Sequence, residues 1–189
     1  LDYILSITLL IILFLPFLFI CFLIKLDSKG PIFNKSYRVG KNKSIFIMYK
    51  FRTMKLNTPI VHSNDLKNSA NYITKIGVQL RKYSIDELPQ ILNVLLGDMS
   101  LVGPRPSLEN QFELIKKRDF FEIHKIKPGL TGLAQINGRD NLDMNKKVEL
   151  DNFYKNNQNI FLDIKIIIKI ILVVIRSKDI RKKKKAKKF

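Results

Sequence analysis

From Leu1 to Ile24 nearly every position is apolar, and Lys25 closes the run. No polar face interrupts it, so the segment predicts a helix suited to lipid rather than to water. At ~1.5 Å per residue it would reach roughly 36 Å, enough for a hydrocarbon layer of roughly 30 Å. Pro16 stands beyond its middle. A proline there removes a backbone donor and crowds the preceding turn, so a bend is expected. A bend would let the chain leave the membrane by the face it entered, but prolines are also tolerated in helices that cross. Re-entrant and spanning topologies both stay open. A cleaved leader fits less well, because the run has no basic start and no small-residue cleavage site.

After Pro31 the pattern changes to a β-hairpin. One arm passes through Ile32, Phe33 and Tyr37, a turn falls at Gly40-Lys41-Asn42-Lys43, and Ile45 to Phe51 form the other arm. Lys50 and Arg52 alternate there and are expected on one face. The polar stretch 57–71, with Pro59 and no clear period, reads as a loop that could close over a substrate. A helix is expected from Ser84 to about Leu96, stopped by Gly97. Ser84 and Glu87 have the spacing of a capping box, in which Glu87 would only hold a backbone amide. Pro89 falls just past the free amides of that first turn, so the start can shift by a residue or two.

Gly103-Pro104-Arg105-Pro106, Pro128 to Gly132 and Asn137 to Asp140 read as turns. Pro106 biases Arg105 toward an extended backbone, which would aim its guanidinium, although an isolated Pro-Arg-Pro is usually a solvated turn. A second apolar run, Phe161 to Ile175, reaches only about 22 Å and contains Asp163, Lys165 and Lys169. Lys165, Lys169 and Arg176 share one helical face, as in an interfacial amphipathic helix. A core helix is the alternative. The fold class expected is α/β, mostly helical with a small β-hairpin: a membrane-embedded helix over 1–25, a body over 26–177 and a basic tail over 178–189.

Charge narrows the possible partners. Thirty-four Lys and Arg against 16 Asp and Glu give a formal +18, which favours polyanions. The tail from Arg181 holds seven basic residues and no acid, a tether for anionic lipid, but the body stays basic without it. Basic loops after the first helix place the body on the cytoplasmic side by the positive-inside rule. Cys21 is the single cysteine beside two His, which excludes an intrachain disulfide and argues against a structural zinc site. Charge alone would also suit a non-catalytic, membrane-tethered protein binding anionic lipid or nucleic acid.

Six phrases of the sequence carry the chemistry. They are Leu26-Asp27-Ser28-Lys29-Gly30-Pro31, Tyr49-Lys50-Phe51-Arg52-Thr53-Met54, Leu80 through Gln90, Gly97 through Pro106, Lys127 through Gly132, and Asn137-Gly138-Arg139. In this order they closely resemble the bacterial sugar transferases, monotopic phosphoglycosyl transferases that begin glycan assembly on a lipid carrier. The resemblance runs from the first helix to about Ser177. It implies a re-entrant helix broken near Pro16, although Leu15 stands where the family often has Ser.

The resemblance also implies a reaction at the bacterial inner membrane. Asp86 would attack the sugar-bearing phosphate of a UDP-sugar, UMP would leave, and polyprenyl phosphate would take the phospho-sugar from the aspartyl intermediate. Helix neighbours point about 100° apart, so Asp86 and Glu87 are expected to differ in role. Asp86 is the expected nucleophile and Glu87 the expected ligand to Mg²⁺. Lys50, Arg81 and Arg105 are expected on the phosphates, with Arg139 a weaker candidate and Asp151 holding metal or substrate. UDP-sugar, polyprenyl phosphate and membrane lipid are the expected partners, and nucleic acid is not.

Overall fold

The computed structural model describes residues 2–56, 58, 69–138 and 142–186. The chain is mostly helical. Helix α1 (Asp2–Asp27) is followed by strands β1 (Phe33–Val39) and β2 (Ile45–Phe51). Then come α2 (Lys75–Lys82), α3 (Gln90–Leu95), β3 (Ser100–Val102), α4 (Phe112–Phe120) and β4 (Gly129–Thr131). The chain continues through α5 (Leu133–Asn137) and α6 (Met144–Asn157) to α7 (Ile160–Ala186).

The hairpin forms as its alternation requires. β1 and β2 pair antiparallel from Phe33 opposite Phe51 to Val39 opposite Ile45. Its turn is a short 3-10 segment, Lys41–Lys43, in which Asn42 takes a left-handed φ of 52° that asparagine tolerates. Phe46 and Met48 turn inward to meet Val94, Met99, Leu101, Val102, Tyr154 and Ile166 in the main core. A second cluster joins Phe51 to Ile24 and Leu80, with Ile85 and Leu88 packed against it.

A parallel pair, β3 beside β4, was not expected from the turn-rich sequence. It explains two of the glycine phrases. Ser100 donates to Pro128 O, Gly103 to Thr131 O and Gly129 to Pro104 O, each at 2.8 Å. The two backbones lie so close that a Cβ on Gly129 would collide with Gly103 N. We expect Gly129→Ala to cost about 1–3 kcal/mol, lowering the melting temperature by roughly 2–12 °C in a thermal scan. Its partner strand β3 leads through Gly103 and Pro104 into Arg105.

Among the described residues α1 is the one helix long and apolar enough to cross a membrane. It is helical through Pro16, so the interruption implied by resemblance is not present. Its covered positions include Asp2, Ser6, Leu10, Leu13, Phe17, Ile20, Ile24 and Asp27, a helical stripe running its whole length. Leu5 packs on the main core near one end, and Phe17, Ile20 and Ile24 pack in the second cluster toward the other. The helix therefore lies along the body, with Ile4, Ile11, Ile12, Leu15, Phe19 and Phe22 exposed on its other side.

Helix α7 is longer than the run Phe161 to Ile175. No Gly or Pro interrupts the basic segment that follows, and Lys and Arg sustain a helix well. One side of it packs as a core helix and the other is exposed and apolar. Ile166 is fully buried and Leu162 and Ile167 pack on the core, while Phe161, Ile164, Ile168, Ile171 and Leu172 form an exposed apolar stripe. Lys165 and Lys169 are exposed too.

Candidate active site

The Asp86–Glu87 pair sits on a tight 3-10 turn, Ile85–Glu87, rather than inside the expected helix. Helix α3 begins only at Gln90, after Pro89, whose missing donor suits that boundary. Ser84 adopts a left-handed φ of 56° and makes no capping bond with its side chain. The capping box is absent because Glu87 has stronger partners across the fold. Lys50 Nζ donates to Glu87 Oε1 at 2.8 Å, and Arg105 donates to Oε1 at 2.6 Å and to Oε2 at 3.2 Å. A forked guanidinium on a carboxylate is among the stronger charge-assisted pairs.

Flanking side chains fix that turn from below. Ile85 and Leu88 enter the second core cluster on either side of the acidic pair, so the two carboxylates are turned out of it. Asn93, fully buried, clamps α3 to the hairpin: its Oδ1 accepts from Tyr49 N at 3.0 Å and its Nδ2 donates to Ile47 O at 2.7 Å. Lys50 is thereby held opposite Glu87. Arg81, in the last turn of α2, donates Nε to Thr53 Oγ1 at 2.9 Å. Gly77 allows that helix to ride directly on Thr53, whose carbonyl a Cβ would strike.

The two carboxylates differ electrostatically. Burial pushes Glu87 up, but Arg105 and Lys50 outweigh it and hold its pKa well below the usual carboxylate range. Burial and the charge of Glu87 raise the Asp86 pKa, against the pull of Lys50 and Arg81. Among the described residues Asp86 has no ion pair, and its carboxylate is hydrogen-bonded by its own backbone N–H. Lys50 is itself lowered by burial, with Glu87 opposing.

Lys50, Arg81 and Arg105 thus gather around the acidic pair as expected. Arg52 does not join them. It lies past the end of β2 and turns to the Ser28 and Lys29 carbonyls, each at 2.7 Å, which ties the end of α1 to the hairpin. Asp151 also departs from its expected role of holding metal or substrate. It is 2% exposed, and its Oδ2 accepts from Arg118 Nε at 3.1 Å and Nη2 at 2.6 Å. Arg118 Nη1 then donates to Arg105 O at 2.9 Å. Among the described residues, Asp151 reaches the site through Arg118 and the Arg105 backbone. Arg139 and most of the polar stretch 57–71 lie outside the described residues.

Arg38, Asn93 and Arg118 escaped the sequence reading. Asn93 had a signal, as a lone amide inside the apolar run Ile91-Leu92-Asn93-Val94-Leu95-Leu96. Arg118 stands in Lys116-Lys117-Arg118-Asp119 and looks like part of a solvated face.

A free carboxylate and a paired one, ringed by cations beside a long exposed apolar helix, define an enzyme of phosphate chemistry. The chain belongs to the bacterial sugar transferase family, whose sequence model matches residues 1–177. It is 43% identical over 164 residues to the uncharacterized sugar transferase EpsL of Bacillus subtilis, covering 87% of this chain and 80% of that protein. It is 39% identical over 178 residues to the UDP-glucose:undecaprenyl-phosphate glucose-1-phosphate transferase of Klebsiella pneumoniae, covering 88% of this chain and 37% of that one. With the undecaprenyl-phosphate galactose phosphotransferase of Salmonella typhimurium it shares 37% identity over 192 residues, 93% of this chain and 40% of the relative. The chain therefore spans most of the first relative and well under half of the other two. Membership displaces the non-catalytic alternative that charge alone allowed.

Proposed function

We propose that this chain transfers a sugar-1-phosphate from a UDP-sugar to undecaprenyl phosphate, with Asp86 as the covalent nucleophile. One observation carries the division of labour: Lys50 and Arg105 engage both oxygens of Glu87, while Asp86 has no ion pair among the described residues and takes only its own backbone N–H. A nucleophile needs a carboxylate not clamped by cations, and Asp86 is the member of the pair that no Lys or Arg holds in an ion pair among the described residues.

Asp86 attacks the phosphorus that bears the sugar, the bond from that phosphorus to the bridging oxygen breaks, and UMP leaves with the electron pair. A phosphate oxygen of the carrier then attacks the aspartyl phosphorus, freeing the Asp86 carboxylate and forming the lipid diphosphosugar. Lys50, Arg81 and Arg105 would take the phosphate oxygens where charge accumulates in both steps. Turnover at one nucleophile in two half-reactions follows.

Mg²⁺ fits the site through a single carboxylate. Glu87 Oε2 accepts one bond, at 3.2 Å, and keeps a lone pair for a hard cation. Magnesium commonly takes one or two carboxylates and completes its shell with phosphate oxygens and water. When bound it supplies charge neutralisation to the donor's diphosphate.

The exposed sides of α1 and α7 suit the bilayer of the bacterial inner membrane, with the body on its cytoplasmic face. Because α1 is covered by the body along one full stripe, it enters lipid on its other side instead of projecting across. The carrier's phosphate would then be presented at the same surface.

The test offers a panel of UDP-sugars to the membrane-reconstituted protein with Mg²⁺. One sugar is expected to release a single equivalent of UMP without carrier, and continuous UMP when undecaprenyl phosphate is added. UMP release that needs both substrates present from the start would overturn the covalent route.

A further inference from the structure

Among the described residues, Arg38 is a cation near the site whose hydrogen bonds are few and long. Arg38 lies on β1, and the register sets Asn34 opposite Lys50 and Arg38 opposite Phe46. Directly paired residues project to the same face of an antiparallel pair, so Arg38 and Lys50 leave the hairpin on one side. Four residues of strand separate Arg38 from the position facing Lys50, roughly 13 Å. Arg38 reaches Pro106, the neighbour of Arg105, and both Arg105 and Glu87 act on its charge.

Its hydrogen bonds are long ones. Nε donates to Ser36 Oγ at 3.3 Å, and Nη1 to Pro106 O at 3.5 Å. A guanidinium carries five N–H donors, and bonds to oxygen are normally ~2.9 Å. Arg38 is half-buried and has no carboxylate partner among the described residues. Burial, then Arg105, lowers its pKa to about 10, with Glu87 opposing, so it is still charged at neutral pH. None of its nitrogens is among the buried, unpartnered atoms of the described residues, so the remaining donors face solvent and are open to a ligand.

Charge identifies that ligand. Asp86 and Glu87 face Lys50, Arg81, Arg105 and Arg38, so cations outnumber carboxylates two to one around the pair. Lys50 and Arg105 are already committed to Glu87. We propose that Arg38 is a substrate-binding residue whose free guanidinium donors take phosphate oxygens, beside Arg105 and on the Lys50 side of the hairpin. This rests on the reading of the pair as a phosphoryl-transfer centre. Both the donor's diphosphate and the carrier's phosphate offer the required oxygens.

The experiment compares wild type, Arg38→Met and Arg38→Lys in lipid nanodiscs. It reads UDP binding by calorimetry, KM for undecaprenyl phosphate with the accepted UDP-sugar, and the melting temperature. Arg38→Met is expected to weaken UDP at least tenfold if the donor's diphosphate is held, or to raise the carrier KM at least tenfold with UDP unchanged if the carrier is held. Arg38→Lys should recover part of the loss through charge without the fork. A folded Arg38→Met protein with both constants within twofold of wild type overturns the assignment and leaves Arg38 as a brace for Pro106. UDP binding is measured without turnover, so a wild type that shows no UMP burst would sink the aspartyl intermediate while leaving this assignment standing.

Discussion

Asp86→Asn is expected to abolish sugar-phosphate transfer while making the folded protein slightly more stable. Loss of a covalent nucleophile typically costs on the order of 10⁴–10⁶ in rate. No phospho-sugar should be trapped on the variant when it is incubated with radiolabelled donor. The stability gain follows from the Asp86 environment. Its pKa is raised by burial and by Glu87, so the unfolded chain ionises it more readily than the folded protein does. At neutral pH that charge favours unfolding, and a neutral amide removes the penalty.

Glu87→Gln should behave oppositely in the same melting experiment. Lys50 and Arg105 depress the Glu87 pKa, so its ionised form stabilises the fold above the ordinary value of 4.5, and that contribution fades as pH falls below it. Substitution leaves Lys50 and Arg105 without their shared carboxylate. Both variants lose activity, yet the melting temperature rises in one and falls in the other. Equal destabilisation would mean that Asp86, like Glu87, is a structural partner of the cations rather than a free nucleophile.

The sequence revealed most where local chemistry decides structure. The apolar α1, the hairpin with Gly40 at its turn, and the stop at Gly97, whose φ is 86°, all depend on residues close in sequence. Ser84 and Glu87 show where local pattern fails. Their spacing favours a cap, but Lys50, 37 residues away, and Arg105, 18 away, outcompete one backbone amide for Glu87. Pro89 was read as shifting the start by only a residue or two, whereas the helix begins at Gln90, directly after it. β3 and β4 are three residues each, too short for any alternation to register, and they exist because glycines let two backbones approach.

Among site residues, Lys50, Arg81 and Arg105 were legible through the phrases that contain them. Asp151 was legible as an important acid but not in its role, because its partner Arg118 lies 33 residues earlier in a charged run. Arg38 was invisible for the same reason: only the hairpin register aligns it with Lys50.

Breaking the Arg118–Asp151 pair is expected to have the largest effect on stability. The side chains are 6% and 2% exposed and meet at 2.6 Å. Removing one member of a buried pair strands the other charge and costs about 3–5 kcal/mol, a fall in melting temperature of roughly 6–20 °C for a chain of this size. Burial already pushes the Asp151 carboxyl up against the pull of Arg118, so Arg118→Met should leave it protonated or unfolding the site. The double replacement Arg118→Met with Asp151→Leu separates stability from positioning. Well-packed apolar substitutes for a buried pair are often neutral or better, so much of the lost stability should return. Activity should not return, because Arg118 Nη1 also holds the Arg105 carbonyl at 2.9 Å, between two prolines that carry any displacement into the guanidinium. If the double variant regained the melting temperature and full turnover together, Arg118 would be packing alone. A turnover deficit that persists in the stable double variant would place Asp151 and Arg118 in the alignment of Arg105 on Glu87.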